Sequence, residues 1–181
     1  TAQASFVDED DNNPDTPDDP KDGDKPVIKI AVSEEGLPGG HDAPMSAEDV
    51  DTTNETQGSQ TIKIASPITN SAGPALMANG LAVSWGAYDA TSGTLLGSTT
   101  EGSVIKVTVG AYDAVTGETT ITVDLLDSVD HPVTTSEDVL DLVFQISAGS
   151  LTFDMTVSVE DDSPMANADT DTVAAAQMTP A

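Results

Sequence analysis

An all-β fold, an antiparallel sandwich of about seven to eight strands with acidic linker segments at both ends, is predicted by three features of this sequence. Apolar and polar residues alternate with period two in a succession of short runs. No segment sustains the periodicity of an amphipathic helix, and the Thr, Val, Ile and Ser content favours strands. Turns rich in Gly and Asn separate the runs.

The first strand begins after residue 27, with Ile28, Ile30 and Val32 on one face and Lys29 and Ala31 on the other. A long loop, 34 to 60, follows it; loops of that length are functional or mobile. Further strands are expected over Thr61 to Ala65, Leu81 to Trp85, Ser103 to Val109, Thr119 to Leu125, Asp141 to Ser147 and Leu151 to Val159. The last alternates Leu151, Phe153, Met155, Val157 and Val159 against Thr152, Asp154, Thr156 and Ser158. Trp85, with Leu81 and Val83 at strand spacing, is the expected centre of the core. The succession reads as an Ig-like sandwich without the cysteine pair of antibody domains, because the chain has no cysteine.

At 181 residues and 37% hydrophobic content, the chain supplies one core. Residues 1–11 read as the tail of a preceding repeat, 12–26 as an acidic Pro-rich linker biased to polyproline II, 27–162 as the sandwich, and 163–181 as the start of a following repeat. An acidic run closes a strand-like segment twice, as Asp8-Glu9-Asp10-Asp11 after Phe6-Val7 and as Glu160-Asp161-Asp162 after Val159. Such a chain reads as an excerpt from a tandem array.

Thirty-two acidic residues against five lysines give a net charge of -27, which repels nucleic acid and anionic membrane. That charge opposes compaction, and Ca²⁺ held by clustered carboxylates relieves it locally. Without cysteine, and with only His41 and His131, oxygen ligands are expected. Ca²⁺ takes six to eight oxygens and can draw them from a strand end, a linker and a loop together. The candidates are Asp8, Glu9, Asp10, Asp11, Asp22 and Asp24 at the N-terminal seam and Glu160, Asp161, Asp162, Asn167 and Asp169 at the C-terminal seam. The competing view is that these runs are merely solvated.

Asp8-x-Asp10-x-Asn12 opens like an EF-hand, but Asn13 replaces the glycine, Asp19 the final glutamate, and Pro14 and Pro17 interrupt it. Gly39-Gly40-His41-Asp42 is a single copy, not a calcium β-roll. No Gly-x-Ser-x-Gly elbow, phosphate loop or dinucleotide fingerprint occurs, and with so many acids a carboxylate pair carries no signal, so a non-catalytic role is expected. Asp130-His131-Pro132 reads as a rigid turn in which the aspartate or histidine supports a loop. Gly86-Ala87-Tyr88-Asp89-Ala90-Thr91-Ser92-Gly93 recurs as Gly110-Ala111-Tyr112-Asp113-Ala114-Val115-Thr116-Gly117. Two similar hairpin tips explain the echo; an exposed Tyr88 and Tyr112 pair stacking on sugar is the sharper alternative.

Three ordered pieces give the chain a family likeness. They are Val32-Ser33-Glu34-Glu35-Gly36-Leu37-Pro38-Gly39-Gly40, Leu125-Leu126-Asp127-Ser128-Val129-Asp130-His131-Pro132, and Val157-Ser158-Val159-Glu160-Asp161-Asp162-Ser163-Pro164 with Asn167-Ala168-Asp169-Thr170-Asp171. With them the chain resembles the repeated extender domains of giant RTX adhesins, bacterial surface proteins exported by type I secretion. The resemblance implies Ig-like modules stacked end to end, with Ca²⁺ at the junctions and Glu160, Asp161 and Asp162 as the junction acids; Glu34 is a further candidate metal ligand. It implies neighbouring repeats as partners, a monomeric extracellular location on the bacterial surface, and a role in adhesion or biofilm formation by projecting a distal ligand-binding region. The chain departs from the family where an acidic Asp-Gly-Asp turn often precedes the last strand; here it reads Ser147-Ala148-Gly149-Ser150. The alternative function is a glycan- or protein-binding module using the 34–60 loop or the Tyr88 and Tyr112 tips.

Overall fold

Period-two alternation builds the molecule in the computed structural model, which describes residues 25–40, 53–132 and 138–162. Among the described residues eleven strands form: β1 (Ile28–Ser33), β2 (Gln57–Lys63), β3 (Ile68–Ala72), β4 (Met77–Ala78), β5 (Leu81–Ala82), β6 (Ser84–Trp85), β7 (Thr94–Ser98), β8 (Ser103–Val109), β9 (Glu118–Leu125), β10 (Val139–Ala148) and β11 (Leu151–Glu160). One sheet has the order β1-β11-β10-β3, the second β2-β9-β8-β7-β6, and β4 and β5 make a small separate ribbon. β2, β9 and β8 lie in one layer and β3, β10 and β11 in the other, the two-sheet arrangement of a β-sandwich.

The inward residues of both sheets make one core. Val32, Val104, Val107, Ile121, Val123, Phe144, Ile146, Met155 and Val157 have no solvent exposure. Burial of each such side chain contributes roughly 1.5–3 kcal/mol, the main force that keeps the sheets together. Outward positions on the same strands are polar, as with Thr61 and Thr120, whose hydroxyls meet at 2.8 Å across β2 and β9.

Three expectations need correction. The sandwich is not wholly antiparallel, because β1 runs parallel to β11 in the register Ile28↔Met155 through Ser33↔Glu160. Eight of the strands have five or more residues, as expected, and the other three are two-residue segments. The stretch from Leu81 to Trp85 is not one strand: β5 folds back on β4 through Asn79 and Gly80, both at positive φ, and β6 joins the other sheet beside β7. Asn-Gly suits that tight hairpin because both central residues must adopt left-handed backbone. Trp85 is half-buried at the rim, while Phe144 holds the centre. The indole meets Phe144 edge to face at 5.2 Å and donates Nε1–H to the Pro74 carbonyl at 2.7 Å. A Cβ at Gly73 would fall inside the indole, so the glycine is what lets the ring lie there.

The parallel β1–β11 pair sets the direction of the module. β11 spans ten residues, a length of about 33 Å. The chain comes in beside the middle of β11 and leaves at the far pole, where β1 also ends.

Candidate functional site: the acidic pole

At that pole the chain turns sharply out of β1. Ser33 Oγ accepts the Glu35 N–H at 3.1 Å and caps a 3₁₀ turn, Glu34–Gly36, which Leu37 N–H closes onto the Glu34 carbonyl at 2.9 Å. A Cβ on Gly40 would strike the Glu34 and Glu35 carbonyls, so the Leu37-Pro38-Gly39-Gly40 segment folds tightly over the turn only with glycine there.

The turn buries Glu34, which is 5% exposed, and aims it at the loop after β9. Its Oε1 accepts the Val129 N–H at 2.6 Å. Two residues on, the His131 side chain is 3% exposed. Its Nδ1 lies 2.5 Å from Asp138 Oδ1, and its Nε2, which makes no hydrogen bond, is 3.6 Å from Glu34 Oε1. Asp161 completes the group: ligand-type atoms of Glu34, His131 and Asp161 all lie within 4.8 Å of one another. The Asp161 N–H donates to the Asp138 carbonyl at 3.0 Å, so the end of β11 is tied to the same loop that orients the histidine.

The electrostatics follow from burial of like charges. Burial pushes the Asp161 carboxyl up to about 6; the Glu34 and Asp162 charges push the same way, and His131 opposes them. Burial alone would lower the His131 pKa, but the Glu34 and Asp138 carboxylates, helped by Asp161, outweigh it and hold the pKa above the usual histidine value. The corner therefore calls for positive charge, which a proton on His131 or a metal ion can supply.

Beside this corner is an open cleft of about 400 Å³ walled by Glu34, Pro38, Gly40, Asp127, Ser128 and Asp162. Asp127 Oδ1 accepts the Ser128 N–H at 2.9 Å and Asp161 Oδ1 accepts the Asp162 N–H at 3.0 Å, which fixes the carboxylate approach on both sides. The cleft lining includes carboxylates from three chain segments, those of Glu34, Asp127 and Asp162.

Of the candidate ligands read from the sequence, Glu34, Asp161 and Asp162 come together here. Glu160 is on the neighbouring position but 4% exposed, and its Oε2 accepts the Thr53 N–H at 3.1 Å, which pins the segment that leads into β2. Asp8, Glu9, Asp10, Asp11, Asp22, Asp24, Asn167 and Asp169 lie outside the described residues, as do residues 1–24 and 163–181 of the flanking segments. Sequence reasoning missed Asp127, His131 and Asp138 as members. Asp127 and His131 were within the middle family-like piece, while Asp138 had no local signal, because only folding brings β10 to the pole.

The remaining motifs settle into supporting roles. Asp130 accepts the Gly80 N–H at 3.0 Å and anchors the β4–β5 hairpin, the loop support its turn implied. Asp89 and Asp113 head equivalent turns closed by Gly93 and Gly117 at φ 70° and 75°. Tyr88 and Tyr112 are half-buried against the core, and the Tyr112 hydroxyl donates to the Ile64 carbonyl at 3.2 Å. Both tyrosines line a cleft of about 280 Å³ between the two tips. No family model, curated protein or solved structure matches this chain.

Proposed function

We propose that the chain is a non-catalytic spacer module of a secreted bacterial surface adhesin, stiffened by Ca²⁺ at its junction with the next module. The observation that carries this reading is the parallel β1–β11 pair, which brings the ends of both strands to one pole, where Glu34 and Asp161 cluster and Glu34 and Asp162 line one cleft. A module meant for end-to-end stacking needs that polarity. The cleft oxygens of Asp127 and Asp162 would hold the ion, and the following segment would complete its shell. Ca²⁺ supplies charge neutralisation and a cross-link there; Asp127 and Asp162 supply fixed carboxylates, and the Pro38-to-Gly40 turn supplies one wall. Extracellular calcium modules bind at about 10⁻⁴ to 10⁻³ M, so such a junction stiffens in the medium outside the cell.

Small-angle scattering on this chain and on a two-module tandem tests the proposal, with millimolar Ca²⁺ and with chelator. The tandem is expected to lengthen and melt higher with Ca²⁺, and the Asp127→Asn/Asp162→Asn pair to remove both effects while leaving the sandwich folded. A tandem whose dimensions ignore Ca²⁺ would overturn it. The cleft between the tips favours a second reading, a glycan- or protein-binding module. Binding on a glycan array that is lost in Tyr88→Ala and not in Asp162→Asn would favour it instead.

A further inference from the structure

We propose that the inner corner of the acidic pole, Glu34, His131 and Asp161, is a site for a borderline transition-metal dication of the Zn²⁺ kind, adjoining the oxygen-lined cleft that Glu34 also walls. The inference does not depend on the spacer reading.

Three observations carry it. The first is the histidine. With Asp138 accepting the Nδ1 proton, the neutral ring has its lone pair on Nε2, and that atom is enclosed, without a hydrogen bond, and directed at the Glu34 carboxylate 3.6 Å away. A lone pair facing carboxylate oxygens is repulsive unless a proton or a metal cation lies between them.

The second is the support around it. Metal-bound histidines ordinarily donate the other ring N–H to a carboxylate, which fixes the tautomer and raises the basicity of the ligating nitrogen. Asp138 is placed for that role here. Glu34 is held in turn by the Val129 N–H at 2.6 Å, and the segment bearing Asp161 is tied to Asp138 through the backbone at 3.0 Å.

The third is the choice of ion. Zn²⁺ binds His nitrogen and carboxylate oxygen at about 2.0–2.2 Å, which puts tetrahedral ligand atoms about 3.4 Å apart. The 3.6 Å between Nε2 and Oε1 is close to that, and the ligand atoms of all three residues lie within 4.8 Å of one another. Ca²⁺ asks for six to eight oxygens and disfavours an imidazole, so the corner and the cleft suit different ions. A metal in the corner would clamp the end of β1, the 129–131 loop and the end of β11 at one point.

The test uses the whole chain after chelation, in a His41→Gln background that leaves His131 as the one histidine. Zn²⁺ alone is titrated at neutral pH, followed by calorimetry and by the imidazole nitrogen resonances. One Zn²⁺ per chain is expected to move the Nε2 resonance and leave Nδ1 protonated. His131→Gln and Asp161→Asn should each abolish that event, and Asp138→Asn should weaken it by about 10- to 100-fold. The nitrogen spectrum needs no variant at the site, so a folding defect in one of them cannot hide the result. Unchanged nitrogen resonances at saturating Zn²⁺ would overturn the proposal, with a proton on Nε2 as the occupant. So would Zn²⁺ binding that His131→Gln leaves intact, or millimolar Ca²⁺ shifting Nε2 in the same way. Calcium-dependent lengthening of the tandem can succeed or fail independently of these outcomes.

Discussion

The two poles of the sandwich both carry aspartates in turns, and they treat the carboxylate in opposite ways. At the hairpin tips Asp89 and Asp113 are solvent-exposed and satisfied by their own turns. The Ser92 hydroxyl and Thr91 N–H hold the Asp89 pKa below the usual value, and the Val115 and Thr116 N–H groups do the same for Asp113. At the acidic pole Asp161 is packed among Glu34, His131 and Asp162, and burial drives its pKa up. A local turn offers a carboxylate N–H donors at no tertiary cost. A tertiary cluster of like charges offers a field, and that field has a use when a cation enters it. Aspartate content alone thus says little about ion binding; the environment that folding builds around it decides.

Removing Glu34 should give the largest difference between the poles. Glu34→Ala leaves the Val129 N–H without its acceptor and takes one carboxylate away from a buried histidine, a loss of about 2–4 kcal/mol in chelated protein. Urea unfolding checks this. Asp113→Ala, which removes an exposed turn acceptor, should cost far less in the same assay.

A smaller effect separates the two repeated tips from each other. Both Gly93 and Gly117 have positive φ, but a Cβ at Gly93 would overlap the Val109 carbonyl, whereas at Gly117 the nearest atom is the Ile64 carbonyl at 3.1 Å. Gly117→Ala should cost about 1–2 kcal/mol and Gly93→Ala more, measured by thermal unfolding. Equal losses would show that left-handed backbone strain dominates and crowding does not.

The pH dependence should be the smallest effect, and its sign should differ between the poles. His131 and Asp161 hold protons more tightly folded than unfolded. Their contribution to metal-free stability is therefore fully present at low pH. The Asp161 part is lost as pH rises towards and through about 6, and the His131 part as pH rises through its raised folded pKa. Asp89 and Asp113 have lowered pKa values, so their contribution is present above the ordinary aspartate range and is lost on acidification below it. Melting temperatures of chelated protein from pH 8 to 5.5 should rise on acidification, with a reduced slope in Asp161→Asn. An identical slope in that variant would assign the effect to net charge alone.

The core strands were legible because alternation survives in them undiluted: β8 matched its expected bounds, and β1, β9, β10 and β11 differed by only one or two residues at either end, whereas β2 starts four residues before its expected start, within the stretch expected as loop. Thr94–Ser98 was missed because Gly97 interrupts its pattern, and Ile68–Ala72 because a polar edge strand buries only Ile68 and Ser71. The Asn79-Gly80 turn was a readable hairpin signal overlooked in favour of a continuous Leu81 to Trp85 run. By itself the sequence determined the fold class, the inward faces and the acidic end of β11, since these depend on residue type and on spacing of two. Only the tertiary structure decided that β1 runs parallel to β11, that Phe144 and not Trp85 lies at the centre, and that Glu34, His131, Asp138 and Asp161 meet. Those outcomes depend on register between segments up to 127 positions apart in the numbering, from 34 to 161, and no local pattern encodes which distant side chains will share a corner.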